Sequence, residues 1–477
     1  MRQQFLAFFK AGATAAFVVL AACGSSNAPG DGALTAGEAR ALAKEAYIVA
    51  YAPVANYARQ SPRAFDKSSI SYQGPNKLFS LPLLFNYYTA NAAGVPSPNQ
   101  DTLYSAGVLD LRQQPVVVSA GAVSDADRYY SLQLLDQNTD VLPYISTLTN
   151  ANAGGHYLVL GPDNSAPTDT SGFTGVIHSG SQLVTILGRV EVYNAADQLN
   201  AALVQQGFKI QTLSDYSGGS APSGSVPELL AYDADSAQGL GFLQYANIAF
   251  GLQPPEDSDP ALARRLARIH VGAGQTFTAS DFTQEIQDAI TRGLADGAAA
   301  VQSASLSSAI VRNGWSSVDP SVLSDSGSFG TGYLARAAVA YGLLYMNTRS
   351  EAWYALASVD AKNATLDGGA RYTLHFAANA LPPARFFWSV TAYDASTHLF
   401  FNNLLGRYKR GSNDSLQYND DGSLDITIQA DAPTDAKAFV NWLPVGQSPF
   451  YLIIRSYGPG DGIIDGSWVP PAVEPLS

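Results

Sequence analysis

The chain has 477 residues, and its 27 Lys and Arg against 40 Asp and Glu give a formal net charge of -13. Hydrophobic residues make up 46% of the chain and charged residues only 14%, which excludes a disordered protein because disorder requires little apolar content and much charge. An acidic protein repels phosphate, so a general nucleic-acid binder is also excluded, and the length allows two or three domains.

The first residues predict a lipoprotein signal peptide. Arg2 and Lys10 precede an uncharged stretch that is too short to span a bilayer comfortably but is typical of a secretory signal. The stretch ends in Leu20-Ala21-Ala22-Cys23, which resembles a bacterial lipobox. The alternative is an ordinary secretory signal in which the cysteine is incidental.

Cys23 is the only cysteine of the chain, so it has no disulfide partner and its thiol is predicted to carry the lipid. The predicted partner is therefore a membrane, reached through acyl chains on Cys23. Gly24 rather than Asp follows the cysteine, which favours an extracytoplasmic anchor in the outer membrane facing the periplasm if the cell is Gram-negative. We assign residues 1–22 to the signal and residues 23–34 to a flexible tether.

The segment 35–215 predicts a helix followed by a β-sandwich. Thr35 and Glu38 form the pattern of a capping box at the start of a helix that runs to about Arg59. Between about Leu81 and Tyr193, short β-rich runs are split by Gly, Pro, Asn and Asp, which is typical of an antiparallel sandwich. These runs are Thr102–Leu109, Pro115–Ser119, Tyr129–Leu135, Tyr157–Leu160 and Leu183–Val190.

The remaining chain predicts a mainly helical middle domain, residues 216–345, and a C-terminal β domain, residues 346–477. Helical spacing is clearest in Ala261–His270 and Phe282–Val301, whereas Leu334–Leu344 fits either a helix or a buried strand. The predicted fold class is thus mainly β with a helical middle domain, an α+β multidomain protein. The C-terminal β runs are Tyr372–Phe376, Arg385–Tyr393, Leu424–Ile428 and Tyr451–Ser456.

The two β regions share one local pattern. Residues 129–136 and residues 387–394 both read aromatic, aromatic, Ser, apolar, polar, apolar, apolar, Asp. The pattern is consistent with two sandwiches built on a common strand–loop–strand unit, or with the general similarity of β-strands to one another.

Several ordered motifs resemble a bacterial family of paired domains of unknown function, numbered 1254 for the N-terminal part and 1214 for the C-terminal part. The resemblance implies an N-terminal β-sandwich, a helical middle and a C-terminal jelly-roll-like sandwich, and it implies no reaction. The motifs are Asn99–Ser105, Val108–Asp110, Asp127–Gln133, Gly188-Arg189, Asn313–Trp315, Tyr333–Ala337, Leu381–Pro383, Phe387–Ser389, Asn441–Pro444 and Gly466–Pro471.

The densest group of polar residues lies where a Pro-rich loop enters a predicted strand. Asp101 is a candidate general acid or base, and Tyr104 is a candidate for orienting a substrate or donating a proton. Asn99 is a candidate ligand-binding amide. The structural alternative is that Asn99 and Asp101 accept backbone N–H bonds in a turn, or that Asp101 pairs with Arg128 or Arg189.

Four further residues are candidates for ligand binding because Arg and aromatic rings together hold sugars and anionic head groups. Their alternative role is to lock loops together. They are Arg128, Tyr129, Trp388 and Arg455.

No cofactor and no metal is predicted. The five histidines do not stand at zinc-ligand spacing, and no phosphate-binding Gly loop, dinucleotide fingerprint or Gly-x-Ser-x-Gly motif is present. A metal held by carboxylate and amide oxygens is left open.

Three functions are compatible with these residues. The first is an envelope lipoprotein that binds a small molecule, glycan or lipid in a cleft between the β domains. The alternative is a hydrolase of an envelope glycan, ester or amide with Asp101 as general acid or base, and a protein-interaction module is a third reading. Whether the protein is an enzyme is left open by the sequence.

Overall fold

The computed structural model describes residues 33–255, 259–320, 322 and 327–476. The predicted signal peptide, the lipidation site Cys23 and all but the last residues of the predicted tether lie outside the described residues. In the described part of the chain, no helix combines the length and the apolar character needed to cross a membrane.

The helices within this part of the chain are α1 (Ala36–Ala64), α2 (Tyr87–Ala93), α3 (Thr147–Asn150), α4 (Gln198–Gln206), α5 (Leu213–Ser217), α6 (Phe242–Leu252), α7 (Pro260–Leu266), α8 (Gln284–Ser307), α9 (Tyr333–Leu343), α10 (Ala436–Val440) and α11 (Asp461–Ile464).

The strands are β1 (Leu78–Leu81), β2 (Thr102–Asp110), β3 (Val116–Ala120), β4 (Tyr130–Leu135), β5 (Ile145–Ser146), β6 (Gly155–Leu160), β7 (Gly175–His178), β8 (Leu183–Glu191), β9 (Lys209–Thr212), β10 (Ala309–Arg312), β11 (Trp315–Val318), β12 (Ala352–Ala357), β13 (Arg371–Phe376), β14 (Ala384–Asp394), β15 (Lys409–Gly411), β16 (Leu424–Gln429), β17 (Trp442–Pro444), β18 (Phe450–Pro459) and β19 (Val473–Leu476).

Helix α1 starts at the capping box that the sequence predicts. The Thr35 side chain accepts the backbone N–H of Glu38, and the Glu38 carboxylate accepts the backbone N–H of Thr35. The helix continues past the predicted end to Ala64, although it contains Pro53 and Pro62. Its apolar face packs against α6, α7 and α8 in one helical core.

The N-terminal sandwich consists of two sheets that enclose one apolar core. Sheet 1 has the strand order β1-β2-β8-β4-β5, and sheet 2 has the order β7-β6-β3-β9. Leu103, Leu132 and Ile186 from sheet 1 meet Val118 and Val159 from sheet 2, and all five are buried. The predicted N-terminal β-sandwich is confirmed.

The C-terminal sandwich is built in the same way. Sheet 3 has the strand order β10-β11-β12-β18-β14-β15, and sheet 4 has the order β17-β16-β13-β19. Trp388, Val390 and Ile454 of sheet 3 pack against Leu374 and Ile426 of sheet 4. The fold is therefore mainly β, with two sandwiches and a helical layer, as predicted.

The two sandwiches contact each other through the faces that point away from their own cores. Side chains alternate between the faces of a strand, so Trp388 and Val390 enter the C-terminal core while Phe387 and Ser389 point toward sheet 1. Tyr129 lies just before β4. Its ring centroid is 6.2 Å from that of Phe387 and 5.2 Å from that of Tyr457. We call this region the inter-sandwich interface.

The elements group in space differently from the linear domain division of the sequence. Helix α1, predicted within the N-terminal domain, packs in the helical core with α6 and α8. The hairpin of β10 and β11, within the predicted middle domain, pairs with β12 and extends sheet 3. Hydrophobic surface, rather than position in the chain, decides these groupings.

Candidate functional site

Asp101 lies at the inter-sandwich interface and is 1% exposed. Ser389 of β14 donates its hydroxyl to Asp101 Oδ2 at 2.6 Å, and Lys409 Nζ of β15 lies 3.3 Å from Oδ1. Lys409 Nζ is also 3.4 Å from Asp414 Oδ2. Burial alone would lower the pKa of Lys409, but the charges of Asp101 and Asp414 raise it. Asp101 therefore holds a buried cation of the other sandwich in place.

Asn99 performs the turn role that the sequence allows. Its Oδ1 accepts the backbone N–H of Asp101 at 2.6 Å, which fixes the entry into β2. Its amide donates to the Tyr457 hydroxyl at 2.9 Å across the interface. Tyr104 is half-buried, and its ring lies 5.7 Å from the guanidinium of Arg189.

Tyr129 connects two buried glutamates. Its backbone N–H donates to Glu191 at 3.1 Å, and its hydroxyl donates to Glu351 at 2.8 Å. Burial is the first cause that raises the pKa of Glu191 and of Glu351 to about 7. Asn413 donates to Glu191 from the C-terminal sandwich, so both carboxylates take part in contacts between the two halves of the molecule.

The other predicted ligand-binding residues also have partners within the protein. Arg128 donates two hydrogen bonds, of 2.8 and 2.7 Å, to the Asp197 carboxylate. Arg455 donates to Thr391 and to Tyr393 at 2.8 and 2.6 Å. Trp388 faces the C-terminal core, away from the interface, and is 4% exposed.

The structure brings six of the seven predicted residues to one region and leaves Trp388 apart. That region contains aromatic rings and hydrogen-bonded pairs, and none of the seven lines any of three cavities that lie elsewhere in the described part of the chain. Buried side chains of both sandwiches, such as Tyr129, Phe387 and Tyr457, meet in this region, and the binding cleft expected between the β domains stays a prediction. The catalytic roles of Asp101 and Tyr104 stay a prediction, and their contacts favour the structural alternative.

A cavity of about 820 Å³ lies beside the sandwiches. Helices α1, α8 and α9 form its walls, the segments 91–96 and 397–399 reach it from the two sandwiches, and residues 232–242 complete it. Ligand pockets in proteins range over about 300–1,000 Å³. We call this space the helical cavity.

The sequence of α1 explains one wall of the helical cavity. Tyr47, Tyr51, Ala55, Ala58 and Arg59 recur at helical spacing and share one face, while the opposite face is buried in the helical core. The short side chains of Ala55 and Ala58 leave this side of the cavity unfilled. The other cavity-lining alanines include Ala295 and Ala298 of α8 and Ala340 of α9.

Four tyrosines, Tyr47, Tyr51, Tyr232 and Tyr341, give the helical cavity its polar character. Tyr51 lies 5.8 Å from Tyr47 and 5.9 Å from Tyr341, measured between ring centroids. Burial, followed by the neighbouring phenols, raises the pKa of Tyr47 to about 12, so its hydroxyl stays protonated. Within the described residues, none of the four side chains forms a hydrogen bond with the protein. The cavity thus offers aromatic faces and free hydroxyls.

Only part of the helical cavity has a local pattern in the sequence. The spacing of Tyr47, Tyr51, Ala55 and Ala58 marks a face with large rings beside small residues, a pattern that a cavity wall and a packed helix contact share. The partners in α8 and α9 depend on tertiary packing and have no local signal. In the described residues, no group of three or more His, Cys, Asp and Glu is placed to hold a metal ion.

Comparisons with known proteins give a family but no activity. The family model described as a protein of unknown function, DUF1254, matches residues 81–212, and the model described as a protein of unknown function, DUF1214, matches residues 351–461. No curated protein matches the chain.

Two solved structures are similar to the chain over most of its length. The VPA0106 protein from Vibrio parahaemolyticus has a TM-score of 0.69 at 24% identity, covering 92% of this chain and 100% of that chain, which indicates a shared fold. An uncharacterised protein from Burkholderia cenocepacia has a TM-score of 0.42 at 11% identity, covering 92% of this chain and 94% of that one.

Proposed function

The chain belongs to the family that pairs domains 1254 and 1214, and from that premise we propose that it is an envelope lipoprotein that binds a small molecule in the helical cavity. The observation that carries this proposal is the cavity itself, about 820 Å³ in volume and walled by tyrosines whose hydroxyls have no partner in the described residues. Unpaired polar groups beside apolar walls are typical of ligand sites. The ligand has an apolar or aromatic body with polar groups at its edge.

The hydrolase alternative has less support. A general acid or base must come within hydrogen-bond reach of its substrate, and the Asp101 carboxylate is buried against Ser389 and Lys409. Opening the inter-sandwich interface would be required before a substrate reached it.

A cavity-filling substitution tests the proposal. Ala298→Phe places a ring in the helical cavity, and Ala299→Phe is its matched control because Ala299 is exposed on the same helix and does not line the cavity. The probe is N-phenyl-1-naphthylamine, an uncharged fluorophore, used with the chain from residue 23 onward carrying Cys23→Ser so that no detergent is needed. We expect Ala298→Phe to weaken binding at least tenfold and Ala299→Phe to leave it within twofold. Equal binding by both variants and the parent would contradict the proposal.

A further inference from the structure

Two arginines of α1 have no side-chain hydrogen bond or ion pair in the described part of the chain, and one of them, Arg59, lines the helical cavity. Arg59 lines the cavity, and Arg63 follows one helical turn later. Within the described residues, neither guanidinium forms a hydrogen bond or an ion pair. Like charges at this spacing repel each other, so an anion bound between the two arginines would relieve the repulsion.

The surroundings of Arg63 favour the binding of an anion because they withdraw its guanidinium from water. Arg63 is half-buried, and burial is the first cause that lowers its pKa, with a contribution from the charge of Arg59. Removing a guanidinium from water is costly unless it is paired. No carboxylate affects the pKa of Arg63, whereas the phenol of Tyr345 does.

The remaining charges of the site do not neutralise the pair. Asp235 is the single carboxylate among the described lining residues, and it is exposed on the rim and forms no ion pair with Arg59 there. The hydroxyls of Tyr51 and Tyr232 lie close enough to Arg59 for its charge to affect their pKa values.

We propose that the ligand of the helical cavity is an anionic amphiphile whose carboxylate, sulfonate or phosphate group binds at Arg59 and Arg63 while its apolar body lies against Tyr47, Tyr51 and Tyr341. This inference rests on the proposed function, since it names the chemistry of the same site. The guanidinium group binds such oxyanions through parallel N–H bonds, and the phenol hydroxyls donate to the same oxygens. The apolar body replaces water along the alanine walls.

Two probes with the same ring system test the charge separately from the cavity. 1-Anilinonaphthalene-8-sulfonate differs from N-phenyl-1-naphthylamine only by its sulfonate. We expect Arg59→Gln to weaken binding of the sulfonate probe at least fivefold, the double variant with Arg63→Gln to weaken it further, and Arg59→Lys to retain most of the affinity. The uncharged probe should bind all of these variants within twofold of the parent.

Arg264→Gln is the matched control, because Arg264 is an exposed arginine on α7 and the change in net charge is the same. Its effect on the sulfonate probe should stay within twofold. If Arg59→Gln and Arg264→Gln weaken the sulfonate probe equally, or if neither has an effect, the anion site is refuted while the cavity stands. If Ala298→Phe leaves both probes unaffected, the proposed function itself fails.

The identity of the natural anion is read from the purified protein. Native mass spectrometry of the parent and of Arg59→Gln, followed by negative-ion analysis of the released small molecules, distinguishes a lipid acid from a free soluble anion. A neutral compound retained equally by both proteins would overturn the inference.

Discussion

Asp101 is a carboxylate whose surroundings decide between a structural and a catalytic role. From the sequence, its place before a strand in a polar loop is compatible with both. The structure places the carboxylate between Ser389 and Lys409 of the other sandwich. The contact with Ser389 joins residues 288 positions apart, and no local pattern reports it.

We expect Asp101→Asn to lower the free energy of unfolding by about 3 kcal/mol, because removing one partner of a buried ion pair leaves the other charge uncompensated. The matched control is Asp296→Asn, since Asp296 pairs with Arg40 at the surface and such exposed pairs contribute little to stability. Urea unfolding measures both, and binding of N-phenyl-1-naphthylamine should not change in Asp101→Asn. A variant that keeps the parent's stability would contradict this structural role of Asp101.

Glu351 links the protonation of a buried group to stability. Its pKa rises from the ordinary 4.5 to about 7 in the folded chain, with burial as the first cause. Between about pH 4.5 and pH 7, Glu351 is protonated in the folded state but ionised in the unfolded state. The free energy of unfolding that this difference contributes therefore falls as the pH rises through that window. Glu191, with a pKa of about 7, acts in the same direction.

Glu351→Gln removes this dependence for one group. Urea unfolding at pH 5 and at pH 8 gives the free energy of unfolding of the variant and of the parent. The difference, variant minus parent, should be larger at pH 8, and each unit of pKa shift corresponds to about 1.4 kcal/mol. The exposed Glu285→Gln serves as the control and should show no such trend. A constant difference between Glu351→Gln and the parent across this range would rule out the linkage.

At the scale of elements, α1 and α8 approach closely through glycine. A Cβ on Gly293 would lie 2.2 Å from the backbone oxygen of Arg40, and a Cβ on Gly297 would lie 2.7 Å from Tyr47 Cβ. The separation of these two helices sets one dimension of the helical cavity. The sequence predicts both helices from their periodicity, but it does not show that they pack together.

We expect Gly293→Ala to destabilise the protein by about 1–3 kcal/mol through overpacking, although alanine is the better helix former. Gly251→Ala in α6 is the control, because no atom lies within 4 Å of its added Cβ, and it should stabilise the protein by up to about 1 kcal/mol. Thermal or urea unfolding of the two variants checks both signs. A stabilised Gly293→Ala would show that the helices separate easily.

The short hairpin of β10 and β11 has a turn signal in the sequence, although the sequence analysis predicts no strands there. Asn313 and Gly314 both have positive φ, 51° and 79°, and connect β10 to β11. An Asn-Gly pair between two β-rich runs is a strong hairpin signal. By contrast, β1 has only four residues and depends on pairing with β2, so its sequence alone does not identify it.

At the scale of the whole molecule, the order of β, helical and β regions follows from periodicity and is present in the structure. The way the sandwiches stack does not follow from it, because alternation along a strand shows that one face is polar but not what that face contacts. Tyr129 and Phe387, equivalent positions of the shared pattern, meet across the interface. Asp101 and Asn99, two of the predicted site residues, form contacts between the two sandwiches, and their catalytic and binding roles stay a prediction.

The predicted anchor is tested on the full chain. Cys23→Ser should move the protein from the membrane fraction to the soluble fraction and remove the mass of the acyl chains from the mature protein. The loss of two or more acyl chains is enough to abolish stable anchoring. Intact-mass analysis after membrane fractionation is the measurement, and a Cys23→Ser protein that stays in the membrane fraction would contradict lipidation at this residue.

The most direct measurement is a crystal structure of the protein with 1-anilinonaphthalene-8-sulfonate. We predict one ring system between the tyrosines of α1 and α9, with the sulfonate within hydrogen-bond distance of Arg59. Density for the probe at the inter-sandwich interface beside Asp101, or only on the outer surface, would contradict a ligand site in the helical cavity.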